Sequence, residues 1–406
     1  MQLSFVYPDI RKGFHRYISI AQGIVFTFTV GYALIVFSLT VIKIPEDLLI
    51  ASQGLHFFIL QVATLTVVLS TNARRNQYKY VHKIIGIGPV EYDEETKNGM
   101  KTVQEKLNKR KNFLISGIIG YLVFVAIVTV IIAPFIDSLT NGRNENIYSP
   151  GGVSLNLPVP LWSPFGTDTT WGYLISLIME LLCAYEMTSI AVAGDVALLV
   201  STQYLTMELQ LLTTALKKMP ERTVRIYKSN HNIDPEKYIN VNYMRDNGQL
   251  LKCYGYCLKE TAVHYQKIIK AFADINVVIS VPTFVGYFCG SIVIAISAIV
   301  MIFGKGNIGT LITSIFLFFG EVLNMLMLSW SGEQLHSGNN EFIKALYSTK
   351  WYYANKEEAL TLRIIMNRSQ RPLTLLAGGM IPLNFETFSN VGINIHSLFL
   401  DIHYSL

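Results

Sequence analysis

Six stretches of this chain run for 23 to 30 residues without a Lys or Arg: Ile18–Ile42, Leu48–Ser70, Phe113–Ile136, Trp171–Val200, Asn276–Phe303 and Gly309–Ser331. At about 1.5 Å of rise per residue, a helix of that length crosses the ~30 Å hydrocarbon core of a bilayer. The apolar residues fill these runs continuously, with no soluble-helix stripe. The chain as a whole is 51% hydrophobic and 15% charged, against about 25% charged in soluble domains. Each run therefore reads as a membrane-spanning helix.

A seventh helix is of a different kind. Between Leu383 and Ser405, the residues Glu386, Asn390, Asn394, Ser397, Asp401 and Ser405 recur three or four apart and fall on one helical face. Phe385, Phe388, Val391, Ile395, Leu398, Phe399 and Ile402 cover the rest. A spanning helix with a polar stripe needs water or another protein surface against it. The spacing favours a pore lined by several copies around an axis over a polar seam packed inside one bundle.

The loops set the orientation. With the N-terminus inside, all but three of the 33 Lys and Arg residues (Lys43, Arg143 and Lys305) fall on the cytosolic side. Seven spans then place the C-terminus outside. The start, MQLSFVYPDIRKGFHR, has no apolar core or small-residue cleavage site, so the first span is expected to serve as the insertion signal. The net charge of +5 follows from this topology and gives no reason to expect nucleic-acid binding. Of the four cysteines, Cys183 and Cys289 lie in spans and Cys253 and Cys257 in a cytosolic segment, so no extracellular disulfide is expected.

The fold expected is an all-α membrane protein with helical extensions below the bilayer. Spans one to four occupy residues 1–200, with a long outer loop at 137–170. Cytosolic extensions follow at 201–275, spans five and six at 276–331, a cytosolic helix at 332–375 and the last helix at 376–406. The fourth span continues without Gly or Pro from Val196 to Lys218. Leu250–Phe272 and Phe342–Met366 carry apolar residues at helical spacing. Pro220–Asp246 is polar and reads as a flexible loop. The outer loop, rich in Pro and Gly, reads as a rigid non-helical cap. Gly378-Gly379 reads as a helix break before the last span.

No catalytic constellation is present. The histidines are scattered, and no metal-ligand spacing, phosphate loop or nucleophile elbow occurs. The chain is expected to be no enzyme and to need no cofactor or metal. Glu180, Glu186 and Glu321 interrupt apolar runs that hold no Lys or Arg to pair them. Such groups are expensive in a membrane and face a cavity, a partner or a hydrogen bond. Phe57, Phe58, Tyr121, Phe124, Met179, Cys183, Phe316 and Phe319 lie in spans two, three, four and six and could line an apolar ligand pocket. Bundle packing or lipid contact accounts for any one of them equally well.

The C-terminal third carries Ser329–Leu335 (SWSGEQL), Ala345–Tyr352 (ALYSTKWY), Arg371–Pro372 and Ala377–Phe388 (AGGMIPLNFETF). Together these resemble the insect odorant receptors. The loop sequence LPVPLWSPFG and Asp195–Leu212 (DVALLVSTQYLTMELQLL) extend the resemblance upstream. The related gustatory receptors end in Thr-Tyr-x5-Gln-Phe, whereas Ser397–His403 reads SLFLDIH.

The resemblance implies a ligand-gated, non-selective cation channel in the plasma membrane of a sensory dendrite. It implies a heterotetramer of ligand-tuned subunits with an obligate co-receptor, joined by cytosolic helices in an anchor. A small volatile apolar odorant would bind in the outer half of the bundle, under the second outer loop. The last helix would line the pore through Glu386, Asn390, Asn394, Ser397, Asp401, Tyr404 and Ser405. A co-receptor closes its pore with apolar residues near the end of that helix; Asp401, Tyr404 and Ser405 stand at the equivalent positions here, which fits the tuned subunit. Seven spans alone would also suit a G-protein-coupled receptor, but its span-three and span-seven signatures are absent and the charge bias gives the reverse orientation. An ion-coupled transporter is suggested only by the unpaired acids.

Overall fold

The computed structural model describes residues 14–44, 48–87, 92–140, 148–149, 151–231, 248–303, 308–349, 351 and 354–405. The elements are almost entirely helical. In chain order they are α1 (Phe14–Lys43), α2 (Leu48–Ala73), α3 (Arg75–Ile87), α4 (Glu94–Ile127), a π-helical turn (Val128–Ile132), α5 (Ala133–Thr140), α6 (Thr170–Lys217), α7 (Met219–His231), α8 (Gly248–Phe303), α9 (Ile308–Tyr347) and α10 (Lys356–Ser369). A two-stranded hairpin, β1 (Leu376–Ala377) and β2 (Ile381–Pro382), precedes α11 (Phe385–Ser405).

Six of these helices are long and apolar enough to cross a membrane, on α1, α2, α4, α6, α8 and α9. Their outward faces carry large exposed apolar side chains, among them Phe28 on α1, Phe113 on α4, Trp171 and Ile178 on α6 and Phe288 on α8. Apolar surface on this scale needs an apolar solvent, so the chain is a multi-pass membrane protein. The helix α11, of 21 residues, stands at the position of the seventh expected span but is not among these six.

Three spans continue into their extensions as single rods: α6 runs for 48 residues, as the unbroken Val196–Lys218 stretch implied, α8 for 56 and α9 for 40. Below the spans the rods pack into the largest core cluster. Leu205, Leu209 and Leu212 of α6 meet Leu258 and Tyr265 of α8 and Leu335 and Phe342 of α9. The rings of Tyr265 and Phe342 stack at 4.8 Å. Two expectations need correction here. Phe342–Met366 is two helices, because Ser348 and Thr349 donate to the carbonyls of Ala345 and Leu346 and end α9. The first part of Pro220–Asp246 is helical, as α7; Pro220 is tolerated in a first turn, where its missing N–H costs nothing. The remainder, 232–247, lies outside the described residues.

The outer loop folds back over the helices. Between Tyr148 and Thr169 it has isolated bridges but no helix. Val153 and Leu161 are buried, the Trp162 amide donates to Thr40 at 2.9 Å, and Lys43 lies over the Trp162 ring. The Tyr148 hydroxyl accepts from the amides of Thr167 and Asp168 at 2.6 and 3.2 Å and thereby ties the loop's ends together.

Gly378 and Gly379 form the hairpin turn. Both have positive φ (62° and 75°), as mirror-image hairpin turns require and glycine readily supplies. A Cβ at Gly378 would also stand 2.8 Å from the Phe284 ring. The hairpin docks on α8: the Gly378 amide donates to the Ser280 carbonyl at 2.8 Å, and the Leu376 amide donates to Asn276 at 2.9 Å. Asn384 then caps α11 by accepting from the Thr387 amide at 2.8 Å.

Candidate functional site

The helices enclose a cavity of about 280 Å³. Its walls come from α1, α2, α3, α4, the π turn, the outer loop, α6, α8 and α9. Tyr32, Phe37 and Phe57 line it toward the loop, together with Val159 and Leu161 of the loop itself. Phe37 and Phe57 stack with centroids 5.7 Å apart. The wall is largely aliphatic and aromatic, which suits a small apolar molecule.

Two local breaks in helical regularity border this space. The π turn places Thr129 on the wall; it is closed by the Ala133 amide donating to Val128 five residues back. Pro282, also on the wall, lies inside α8, which continues through it. Proline has no N–H and leaves the carbonyl four residues earlier, that of Val278, without its helical donor. The Tyr78 hydroxyl donates to that carbonyl at 3.3 Å, and Arg74 donates to the neighbouring Val277 carbonyl.

Of the eight aromatic, Met and Cys residues proposed for a pocket, Phe57 and Cys183 line the cavity. Phe58 packs beside them in the same cluster, and Met179 is buried in the bundle. Tyr121 donates to the Phe316 carbonyl at 3.0 Å. Phe124 packs edge-on against Phe316, and both Phe124 and Phe319 are about half exposed on the outer surface. The structure therefore does not bring these last four onto the cavity wall. The wall also holds Phe37, Asp195, Pro282, Thr283 and Asn324, which sequence reasoning did not select. Pro282, lying within an apolar run, was the readable signal.

Glu180 and Glu321 line the cavity, whereas Glu186 does not. Glu186 is buried, and both its carboxylate oxygens lack a hydrogen-bond partner among the described residues.

The polar stripe of α11 faces away from its own subunit. Glu386, Asn390, Asn394 and Ser397 are exposed, while Phe388, Val391 and Ile395 pack against the main core. The side chains of Asp401, Tyr404 and Ser405 lie outside the described residues.

A second polar cluster lies among the helical extensions, between α6, α7 and α8. His264 donates or accepts toward Glu208 at 2.7 Å and toward the Tyr92 hydroxyl at 2.6 Å. Burial pushes the Tyr92 phenol far above its usual range, so it meets the His264 ring as a neutral hydroxyl. Arg222 binds Asp93 and Glu260 at 2.7 and 2.6 Å and lies over the Tyr92 ring.

A bundle of apolar helices around a largely apolar cavity defines a multi-pass membrane protein with room inside for a small apolar molecule. The chain belongs to the odorant receptor family: the family model described as 7tm Odorant receptor matches residues 47–394. A putative odorant receptor 85d of Drosophila melanogaster is 22% identical over 134 residues, which is 33% of this chain and 32% of that relative. The match thus spans about a third of the relative's length. The insect olfactory receptor OR5 of Machilis hrabei, solved in complex with eugenol, superposes with a TM-score of 0.76 at 12% identity. That match covers 100% of this chain and 96% of the other. A second OR5 structure gives a TM-score of 0.71 at 12% identity, covering 97% and 90%. At this identity the likeness establishes the fold.

Proposed function

We propose that the chain is the odorant-binding subunit of a ligand-gated, non-selective cation channel that assembles with a co-receptor, as a heterotetramer in the plasma membrane. The observation that carries this reading is the exposed polar face of α11. Glu386, Asn390, Asn394 and Ser397 stand outward from a helix whose Phe388, Val391 and Ile395 pack against the core. One polar face per subunit, gathered around an axis, makes a water-filled path. Acidic residues along it, Glu386 here and Asp401 by its place in the sequence, would favour cations.

The cavity is the proposed odorant site, with Phe57 and Cys183 on its wall. Val278, Ile279, Pro282, Thr283, Val285 and Gly286 of α8 line it, and between them the Ser280 carbonyl holds the hairpin that leads into α11. A ligand that shifts this stretch of α8 would move the start of the pore helix through that hydrogen bond. The N-terminus is assigned to the cytosol and the outer loop to the exterior. The α6, α8 and α9 extensions, with α10, form the proposed anchor between subunits.

The test is recording from cells expressing the chain with a co-receptor while an odorant panel is applied. Cysteine placed at Asn394 should react with a charged, membrane-impermeant thiol reagent and block the evoked current. Cysteine at Val391 should not. Equal protection of both positions would remove α11 from the permeation path. A glycosylation sequon engineered between Asn141 and Ser149 should be modified while Asn367 is not; modification at Asn367 would reverse the topology.

A further inference from the structure

The cavity wall is not uniformly apolar, and its polar groups differ in what they have left to offer. Thr64, Thr71, Thr129, Ser201 and Thr283 lie on it, and each donates its hydroxyl proton to a carbonyl four residues earlier in its own helix, at 2.7–2.9 Å. Tyr78 has spent its proton on Val278. Lys and Arg are missing from the lining among the described residues, and His82, which does line it, already has an interaction partner. These side chains have no free proton to offer a ligand; the Tyr32 and Thr188 hydroxyls are the further donors on the wall.

Acceptors are plentiful. Asp195 of α6 and Glu321 of α9 both face the cavity and lie within electrostatic range of each other. Asn324, one turn below Glu321, hydrogen-bonds its carboxylate. The amide nitrogen is used in that bond, so the other end of the side chain, Oδ1, points away from it. That oxygen is buried and has no hydrogen-bond partner among the described residues. The backbone at Gly290 leaves space for this arrangement: a Cβ there would stand 3.0 Å from Glu321 Oε2. A buried carbonyl oxygen without a donor, beside two carboxyls without a basic partner, is costly to maintain in an empty apolar cavity.

We propose that this corner of the cavity, Asp195, Glu321 and Asn324, selects ligands whose apolar body carries an O–H or N–H donor, an alcohol, phenol or amine in preference to an ester, ether or hydrocarbon. The inference rests on the cavity being the ligand site. The apolar body fills the space toward Phe37 and Phe57, and the head group supplies the donor that Asn324 Oδ1 and the carboxyls lack. Rejection of an isostere without the donor follows from the same groups, because they stay buried and unpaired when it binds.

The test uses four probes sharing one apolar body: 2-phenylethanol, 2-phenylethylamine, the methyl ether of 2-phenylethanol, and propylbenzene. Binding to the purified full-length chain in detergent is measured directly. The alcohol or the amine should bind at least about tenfold more tightly than the ether and the hydrocarbon. The order within the donor pair tells the state of the head: amine above alcohol means a cation against ionised carboxylates, alcohol above amine a neutral donor. Asn324→Leu and Glu321→Gln should reduce the preference to below about threefold while propylbenzene affinity stays within about threefold. Gly290→Ala keeps every polar group, crowds the Glu321 carboxylate, and should narrow the preference as well if the two larger changes impair folding. Equal binding of all four probes, no binding by any, or a preference that survives all three variants overturns the proposal. Binding is read without current, so donor selectivity in a chain that gives no evoked current would count against the channel reading alone.

Discussion

The hydroxyl of Tyr78 donates to the carbonyl oxygen of Val278 at 3.3 Å, the acceptor that Pro282 deprives of its helical partner. Proline breaks a membrane helix cheaply only where something else satisfies the freed carbonyl. Here a tyrosine from a neighbouring helix does so, and the break lies on the ligand-cavity wall. Tyr78→Phe should leave Val278 unsatisfied and lower stability by about 1–3 kcal/mol. Pro282→Ala restores the helical donor, so the double variant should recover most of that loss. Thermal unfolding of the four proteins checks it; equal losses from Tyr78→Phe in both backgrounds would mean the hydroxyl does not serve the break.

The Gly332 position decides how α9 meets the start of α11. A Cβ built on Gly332 would overlap the carbonyl oxygen of Leu383, a backbone atom with little freedom because the Leu383 amide is bound to Leu375 at 2.9 Å. Gly332→Ala should therefore displace the chain at the entrance to α11 and cost at least about 1–3 kcal/mol, as overpacking does. Gly117→Ala, with open space around its Cβ, should stay within about 1 kcal/mol of the parent. Parallel melting curves for the two variants distinguish a close-approach glycine from a neutral one.

Among the helical extensions, His264 and Glu208 form a hydrogen-bonded pair in which both side chains are buried. His264→Leu should be strongly destabilising, by about 3–5 kcal/mol, because it takes the imidazole partner from a buried carboxylate. Adding Glu208→Leu should return a large part of the loss, since an apolar pair of similar volume needs no partner. Additive losses would show that the two residues act independently.

Much of the architecture was legible because it is local. Span positions follow from uninterrupted apolar runs, and the α11 stripe from three- and four-residue spacing. The cavity wall was not legible for a geometric reason. A helix turns about 100° per residue, so adjacent residues in an all-apolar run face different neighbours while looking alike. Leu317 lines the cavity and Phe316 does not; Phe57 lines it and Phe58 does not. Without a polar side to fix the rotation, composition cannot choose between them. The split of Phe342–Met366 was missed for another reason: it depends on two hydroxyls, Ser348 and Thr349, competing for helix carbonyls, which periodicity of apolar residues does not register.

That geometry gives the aromatic residues opposite expected behaviours. Phe37 and Phe57 stack on each other at the cavity wall, whereas Phe319 is 55% exposed on the outer surface. Replacing Phe57 by Ala removes ligand contact worth about 1–3 kcal/mol. Odorant sensitivity should fall about tenfold or more, since about 1.4 kcal/mol is tenfold. Phe319→Ala removes contact with lipid and should shift sensitivity by less than about threefold. Dose–response curves for evoked current, normalised to surface protein, separate the two. A larger shift from Phe319 than from Phe57 would move the binding site to the outer face between α4 and α9, where Tyr121, Phe124 and Phe316 already meet.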